Sequence, residues 1–500
     1  MPSRNLFKRL PLALSVGLAL AGCAITPKPL TLQQQHAAVL ADQAAIDRDQ
    51  EPVRAPITLA DAMARALKYN LDAREKLMQQ ALAYDQLDAS RYSMLPKLTA
   101  QAGYTARSNN LVTDSRDVST GALLLSNATS EDRATTTAGL GATWNILDFG
   151  VSYFQAHQRA DQALIMRERR RKTVQVLMQR VRQAYWEAVG AQVLDARLGP
   201  LMKQVQQALA DSDAVQREQL RRPIDVLVYQ QSLLELVRQL DAVHDRLDQA
   251  RIRLAALMNM PPTTDYAVAV PPRLEVPKVD ANVSTLEQRA LDARPDIAEA
   301  LLQQRISVAD VKIAMARFFP GIEFNVGPQY DSNSYLHNHQ WVQAGLGVTW
   351  NLLNVLAMPA QKAAAEQQVR VVRMQRLALE MAVLSQVAIA VRDVDGSRRQ
   401  FELSDRLYDV TDRIGRMTAA QAANDADSRV NQIRSSAAVL MADYRRYADY
   451  AALQTAYGQL LASEGVDPLP ASVKAHDLAT LSSTIAAHMD AVSTAVEANL

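Results

Sequence analysis

Along most of this 500-residue chain apolar residues return every three or four positions, but in four short stretches they alternate with small or polar ones. The first rhythm is that of a helix with one buried face, and the second that of a strand with one apolar face. The clearest alternating stretch occurs twice, as Gly139-Leu140-Gly141-Ala142-Thr143-Trp144-Asn145 and as Gly345-Leu346-Gly347-Val348-Thr349-Trp350-Asn351. Another precedes each copy, Leu98 to Ala106 and Ile322 to Tyr330, so each half offers one hairpin embedded in helical sequence.

The two copies belong to an internal duplication. Adding 206 maps Gly190 onto Gly396, Leu254 onto Leu460, Ala256 onto Ala462 and Pro262 onto Pro468 without a gap. Before the hairpins the offset is 224, mapping Gln79-Gln80 onto Gln303-Gln304 and Pro96 onto Pro320. The difference of 18 residues (224 minus 206) places a longer loop in the first hairpin, around Arg107 to Arg133, than in the second, around Asp331 to Gln340. The expected organisation is a first repeat over 57–260, with its hairpin at about 97–147, and a second over 284–469, with its hairpin at about 321–354. A Pro-rich linker over 261–283 joins them, and a tail follows over 470–500.

Within the first repeat the spacing predicts a helix from Thr58 to Tyr92, capped by Thr58 and Asp61 and stopped by Pro96. A very long helix follows from near Val151 to about Leu220, kinked at Gly199-Pro200; some 70 residues reach about 105 Å. Pro223 marks a reversal, and a helix then runs from about Ile224 to Met258. The second repeat predicts helices over Leu286 to Phe318, Pro359 to Ala423 and Ser428 to Ala462, with a reversal near Asn424. The tail from His476 reads equally as one more amphipathic helix or as a mobile end.

Composition sharpens this. With 48% hydrophobic but only 5% aromatic residues, the chain suits long packed helices better than a compact enzyme core. A net charge of +1 gives no reason to expect nucleic acid as a partner. The amino terminus carries Arg4, Lys8 and Arg9 before the apolar run Leu10 to Ala21, the pattern of a secretory signal over residues 1–22 and too short to span a bilayer. The run ends in Leu20-Ala21-Gly22-Cys23, with the only cysteine of the chain. This resembles the lipobox of bacterial lipoproteins, which implies cleavage before Cys23, acylation of its thiol and a lipidated tether over 23–56 with one helix from Leu32 to Asp47. Ala24 after the cysteine, by resemblance to the lipoprotein sorting rule, favours the outer membrane.

Four one-sided strands in a secreted chain cannot close a membrane barrel, which takes at least about eight, and an open sheet in a bilayer leaves unpaired edges. Three copies give twelve strands. At this point the chain resembles the TolC-type outer-membrane efflux family over about Ile57 to Leu469. The resemblance is carried by the doubled helix, hairpin, long helix, helix plan, by Pro96 and Pro320 before the first strands, by the Thr-Trp-Asn strand ends, and by Asp225-Val226-Leu227 at a reversal. It implies a mainly α fold with a small β part: a homotrimeric α-helical barrel in the periplasm topped by a twelve-stranded outer-membrane β-barrel. It also implies a passive export conduit working with a periplasmic adaptor and an inner-membrane pump, with drug efflux and type I protein secretion both open. A non-pore structural lipoprotein is the remaining alternative.

No nucleophile motif or phosphate-cradling loop supports an enzyme, and no residue set calls for a cofactor or metal. His337 and His339 fall in the short loop and read as solvated rather than as ligands. The basic run Arg167 to Lys172 reads as a solvated or lumenal helix face, with lipid-headgroup contact as the alternative. Trp144 and Trp350 fit either an aromatic membrane girdle or packing on the helices below. By the family's topology the reversals at 217–229 and 423–435 form the adaptor-docking tip. Here Gln219 and Arg222, and Asp425 and Ser428, stand where the family has a glycine and a small residue, which points to an unusual adaptor. The family's pore carboxylates are also missing from the second reversal: Asp225 maps onto Asn431, and Arg434 lies three residues on. Either three Arg434 side chains ring the gate with Asp225 as counter-charge, or Arg434 turns outward.

Overall fold

The computed structural model describes residues 27–47, 50–218, 222–279, 282–422, 427–470 and 475–498. The chain forms two compact units, 1–52 and 53–500. In the first, α1 (Leu32–Asp47) is exposed over its described length and starts at a reciprocal cap in which Gln34 N–H donates to Thr31 Oγ1 at 3.2 Å and Thr31 N–H to Gln34 Oε1 at 3.0 Å.

The second unit opens with α2 (Leu59–Tyr69), set by the predicted box: Asp61 N–H donates to Thr58 Oγ1 and Thr58 N–H to Asp61 Oδ2, both at 3.1 Å. The single helix expected over 58–92 is in fact two. Asn70 ends α2 and caps α3 (Leu71–Tyr92), its Oδ1 accepting from Ala73 N–H at 3.2 Å while its Nδ2 donates to Leu257 O. A side chain that satisfies helix-end amides competes with helix continuation. The second repeat breaks at the equivalent place, 224 residues on: α6 (Val283–Ala293) stops before Arg294, and α7 (Pro295–Ala316) begins at a proline that lacks an amide hydrogen and disfavours helix at the residue before it.

The long helices are longer than predicted at their upper ends. The helix α4 (Ile146–Arg217) has 72 residues, about 108 Å, and α8 (Leu352–Ala422) has 71, with Pro200 and Pro359 taken inside them. Asn145 caps α4 by accepting from Leu147 and Asp148 N–H, which starts the helix directly at the strand end. Between them, α5 (Pro223–Leu257) returns beside α4, and α9 (Asp427–Ser463) packs between α4 and α8. The tail resolves as a helix, α10 (Leu478–Ala498), which buries Leu481 and Ile485 against α2; Ser482 Oγ donates to Asp61 Oδ1. Burial opposes ionisation of Asp61, but these hydrogen bonds from Ser482 and Thr58 outweigh it and hold the carboxyl below its usual range.

Three buried clusters follow the helices. The first joins α2, the middle of α4, the end of α5 and α10; the second joins α4, α5 and α9 around Leu194, Val205 and Leu240; the third joins α6, α8 and α9 around Val387, Tyr450 and Leu453. The linker is clasped against the long helices. Ile57 exchanges backbone hydrogen bonds with Ala267 and Ala269 at 2.8 Å, Gln192 bonds both the amide and the carbonyl of Val268, and Tyr450 Oη donates to Glu275 O.

The strands β1 (Lys97–Ala106), β4 (Ala134–Asn145), β5 (Gly321–Asp331) and β6 (Gln340–Thr349) form one antiparallel sheet in the order β1-β4-β5-β6. The hairpins of the two repeats are thus fused through β4 and β5, whose pairing runs from Thr137↔Asp331 to Asn145↔Glu323. The long first loop is not plain loop. It holds a second small sheet of β2 (Thr113–Arg116) and β3 (Leu123–Ala128), turned at Gly121 with φ of 69°. Those strands have four and six residues and an irregular register, too little for an alternating signature.

Candidate functional site: a two-faced sheet above a helical reversal

Side chains in a strand point alternately to the two faces, so the register assigns each residue to one face. Leu98, Ala100, Ala102 and Tyr104 of β1 lie beside Ala142, Leu140, Ala138 and Thr136 of β4. The same face continues with Trp144 beside Phe324, Ala142 beside Val326 and Ala138 beside Tyr330, then with Ile322, Phe324 and Val326 beside Val348, Leu346 and Ala344 of β6. One face is therefore a continuous apolar surface, and it is bare: Leu98, Tyr104, Val342, Leu346 and Val348 are each about two-thirds exposed. From Leu98 to Tyr104 it extends about 20 Å, close to the height of a membrane barrel's apolar band.

The opposite face is mostly polar or small, with Thr99, Gln101, Gly103, Thr137, Gly139, Gly141, Asn325, Gln329, Gly345 and Gly347, and it carries Trp341 beside Gln329. Two of these glycines make room for amide side chains. A Cβ at Gly139 would lie 2.4 Å from Gln329 Oε1, and one at Gly345 2.5 Å from Asn325 Oδ1. Gly327 is required by the backbone itself, since a Cβ there would meet Leu140 O at 1.7 Å. A surface that is apolar on one side and carpeted by amides on the other is what a sheet between lipid and water needs.

Trp144 sits at the helix-proximal end of the apolar face, ring to ring with Phe149 at 5.7 Å, and Trp350 donates its Nε1–H to Phe318 O at 3.0 Å. Both remain 39–52% exposed, so each packs on the helix junction and also faces outward. Tyr104 and Tyr330 mark the far end of the same face, and sequence reasoning passed over them because only the register shows that they share it. In the loop beyond, His339 Nδ1 lies 2.9 Å from Asp331 O, and among the described residues no His, Cys, Asp or Glu cluster is placed to hold a metal. Among the described residues no helix is long and apolar enough to cross a membrane.

The basic run is partly exposed, with Arg167, Arg169 and Lys172 about half open to solvent, and it is also ion-paired within the chain. Arg169 bonds Glu299 of α7 at 2.7 Å, Lys172 reaches Asp296 at 3.6 Å, and Arg171 holds Asp467 at 2.7 Å together with the carbonyls of Ala293 and Gly465. Glu168, 4% exposed, is held by Arg167 and Arg171. This stretch of α4 ties the first repeat to the second at the α6–α7 break and the end of α9.

Of the expected tip residues, Gln219 and Asp425 lie outside the described residues, as does Cys23. Arg222 precedes α5 with its guanidinium 3.9 Å from Asp225 in the first turn, where the helix dipole favours an acid. Ser428 lies in the first turn of α9, and Asn431 is exposed one turn further on. Arg434 donates to Ser232 Oγ at 2.9 Å, two turns along α5 from Asp225. The structure thus places Arg434 between α9 and α5, and Asp225 against Arg222.

Residues 286–465 match the family model of the outer membrane efflux protein. The match lies within the second repeat. Over the whole plan the fold is also that of outer-membrane channels. The chain is similar to the outer-membrane channel OprN, with a TM-score of 0.61 and 17% identity over 81% of this chain and 89% of that one. It is similar to the Campylobacter jejuni CmeC outer membrane channel, with 0.63 and 13% over 84% and 90%. It is similar to the open state of the Neisseria gonorrhoeae MtrE outer membrane channel, with 0.59 and 18% over 81% and 90%. No curated protein matches the chain in sequence. The chain is thus mainly helical with a small sheet, shares the fold of these channels, and matches the efflux-protein family model over residues 286–465.

Proposed function

We propose that this protein is the outer-membrane channel of a tripartite export system, a passive conduit for small molecules that works as a homotrimer with a periplasmic adaptor and an inner-membrane transporter. The observation that carries the reading is the sheet. Among the described residues its apolar face has no partner, and β1 and β6 each pair on one side only, leaving two open edges. Open edges do not persist in hydrocarbon, and joining β6 of one copy to β1 of the next closes three four-stranded sheets into twelve strands. The long helices then form the conduit below, and acylated Cys23 anchors the amino terminus in the outer membrane. The test is single-channel conductance of purified full-length protein in planar bilayers, with native mass measured in mild detergent. Discrete openings from a trimeric species are expected; well-inserted protein that never conducts would favour a structural spacer. Intact mass of membrane-extracted protein tests the anchor, with an unmodified residue 23 as the refuting result.

A further inference from the structure

The linker holds α4 by one face. Tyr185 Oη donates to Ala269 O at 2.7 Å, and Gln192, seven residues on and so on the same side, bonds both the amide and the carbonyl of Val268. The helix α2 packs there too, in the cluster that buries Val181, Tyr185 and Ala188. The opposite face opens into a groove of about 510 Å³, a size that suits a small-molecule site. It crosses α5, α4, α9 and α8 in that order, since α4 packs on α5 and α9 while α9 packs on α4 and α8. At about 100° per residue, Glu187 and Gly190 in its lining lie about 200° and 140° round α4 from Tyr185. An extra layer inside a helical tube would plug it, so in the conduit proposed above the linker lies outside and the groove faces the lumen.

Small residues hollow this groove. Ala448 and Ala452 of α9 line it one turn apart and are exposed, so their size alone keeps that space open. A Cβ at Gly190 would lie 2.9 Å from Tyr447 Cβ, so the glycine lets that tyrosine lie on α4. Trp186 and Tyr444 complete an aromatic wall. Trp186 stands edge-on to Tyr450 with ring centres 4.8 Å apart, and its Nε1–H is buried without an acceptor among the described residues.

Charge is separated across the groove. On α5, Arg253 is taken by Glu187 of α4 at 3.3 Å, but Arg246 bonds the Tyr444 phenol at 3.1 Å and, among the described residues, no carboxylate. On α8, at the other flank, Asp393 is exposed and pairs with no cation among the described residues. The aromatic wall lies between the two. We infer that the groove binds flat aromatic zwitterions, with an anionic group at Arg246, a cationic group at Asp393 and the rings against Trp186 and Tyr444. The lumenal placement rests on the conduit reading; the inference adds a site in the conduit wall and the chemistry of what it holds.

The test is fluorescence anisotropy of two dyes on the purified full-length protein in one detergent. Rhodamine B carries a carboxylate and a delocalised cation on a flat three-ring frame, and its ethyl ester lacks the anion. The parent should bind rhodamine B saturably and the ester about fivefold more weakly. Arg246→Gln should remove that difference, Asp393→Asn should weaken both dyes, and Ala452→Trp, at an exposed position, should abolish both. Native mass and circular dichroism matching the parent's show that each variant is folded. Equal binding of the two dyes by the parent, the mark of uptake by micelles alone, overturns the site, as does binding that survives Ala452→Trp. Channels that conduct without binding dye overturn the site and leave the conduit standing. Dye binding by protein that never conducts overturns the conduit reading and the lumenal placement with it.

Discussion

Just past the last turn of α9, Glu464 is 6% exposed, and the guanidinium of Arg289 is 4.0 Å away. Burial pushes its carboxyl from 4.5 up to about 7, with Arg289 offsetting part of the rise, and Tyr457 is a second titratable group facing it. Because the folded value lies above the unfolded one, the fold favours the neutral acid. The associated stability is fully present below about pH 4.5 and is lost as pH rises through about 7. The rise of 2.5 units (7 minus 4.5), at about 1.4 kcal/mol per unit, sets the effect at about 3 kcal/mol. Glu464→Gln keeps the shape and removes the charge. Near pH 4 the variant should unfold at almost the same urea midpoint as the parent, and at pH 8 it should be more stable by up to that amount. Circular dichroism at a series of pH values in one detergent reads both midpoints. Parent and variant midpoints that move in parallel from pH 5 to pH 8 would refute the reasoning, since the slope would then come from other groups.

On the sheet, Leu346→Arg puts a charge on the outward apolar face and should cost about 2–4 kcal/mol in lipid, while Gln343→Arg on the polar face should cost far less; urea unfolding from vesicles compares them. Gly327→Ala forces a Cβ into Leu140 O and should break the join between the two hairpins, read as loss of the assembled species on unheated gels with helix content retained. Arg305 pairs through two nitrogens with Asp161, which is 6% exposed, but the guanidinium itself faces solvent, so Arg305→Ala should lower stability by about 1 kcal/mol; no measurable effect would mean that water replaces the guanidinium. At the tip, the reading in which three Arg434 side chains ring the gate of the proposed channel requires Arg434→Asp to shift selectivity toward cations in bilayers at low salt; unchanged selectivity would place Arg434 off the conduction path, in keeping with its bond to Ser232.

How much of this was legible in the sequence depends on the distance over which each signal acts. The Thr58 cap, the paired strands and the reversal at Pro223 are set by residues within a few positions of one another, and they were readable. The break at Asn70 was not, because an asparagine in a helical run becomes a stop only when its amide also finds Leu257 O, 187 residues away. Arg294-Pro295 was a visible stop, outweighed in the reading by the helical period on either side. The ion pairs of the basic run were hidden for the same reason as the stop at Asn70: its partners Glu299, Asp296 and Asp467 lie more than a hundred residues downstream.

The repeat itself shows where sequence comparison stops and structure takes over. Between Arg197 and Leu403, or Asp443 and Val237, the two halves look merely diverged. The fold gives the divergence a direction. The charged pair occupies the seam made within one chain, where both partners arrive together and a buried carboxylate always finds its arginine. The uncharged equivalents sit differently: Leu403 is 62% exposed, and Val237 packs against the second buried cluster of its own chain. With no carboxylate at 237 to answer, position 403 needs no arginine, so a duplicated gene keeps the charged pair only where the fold buries it.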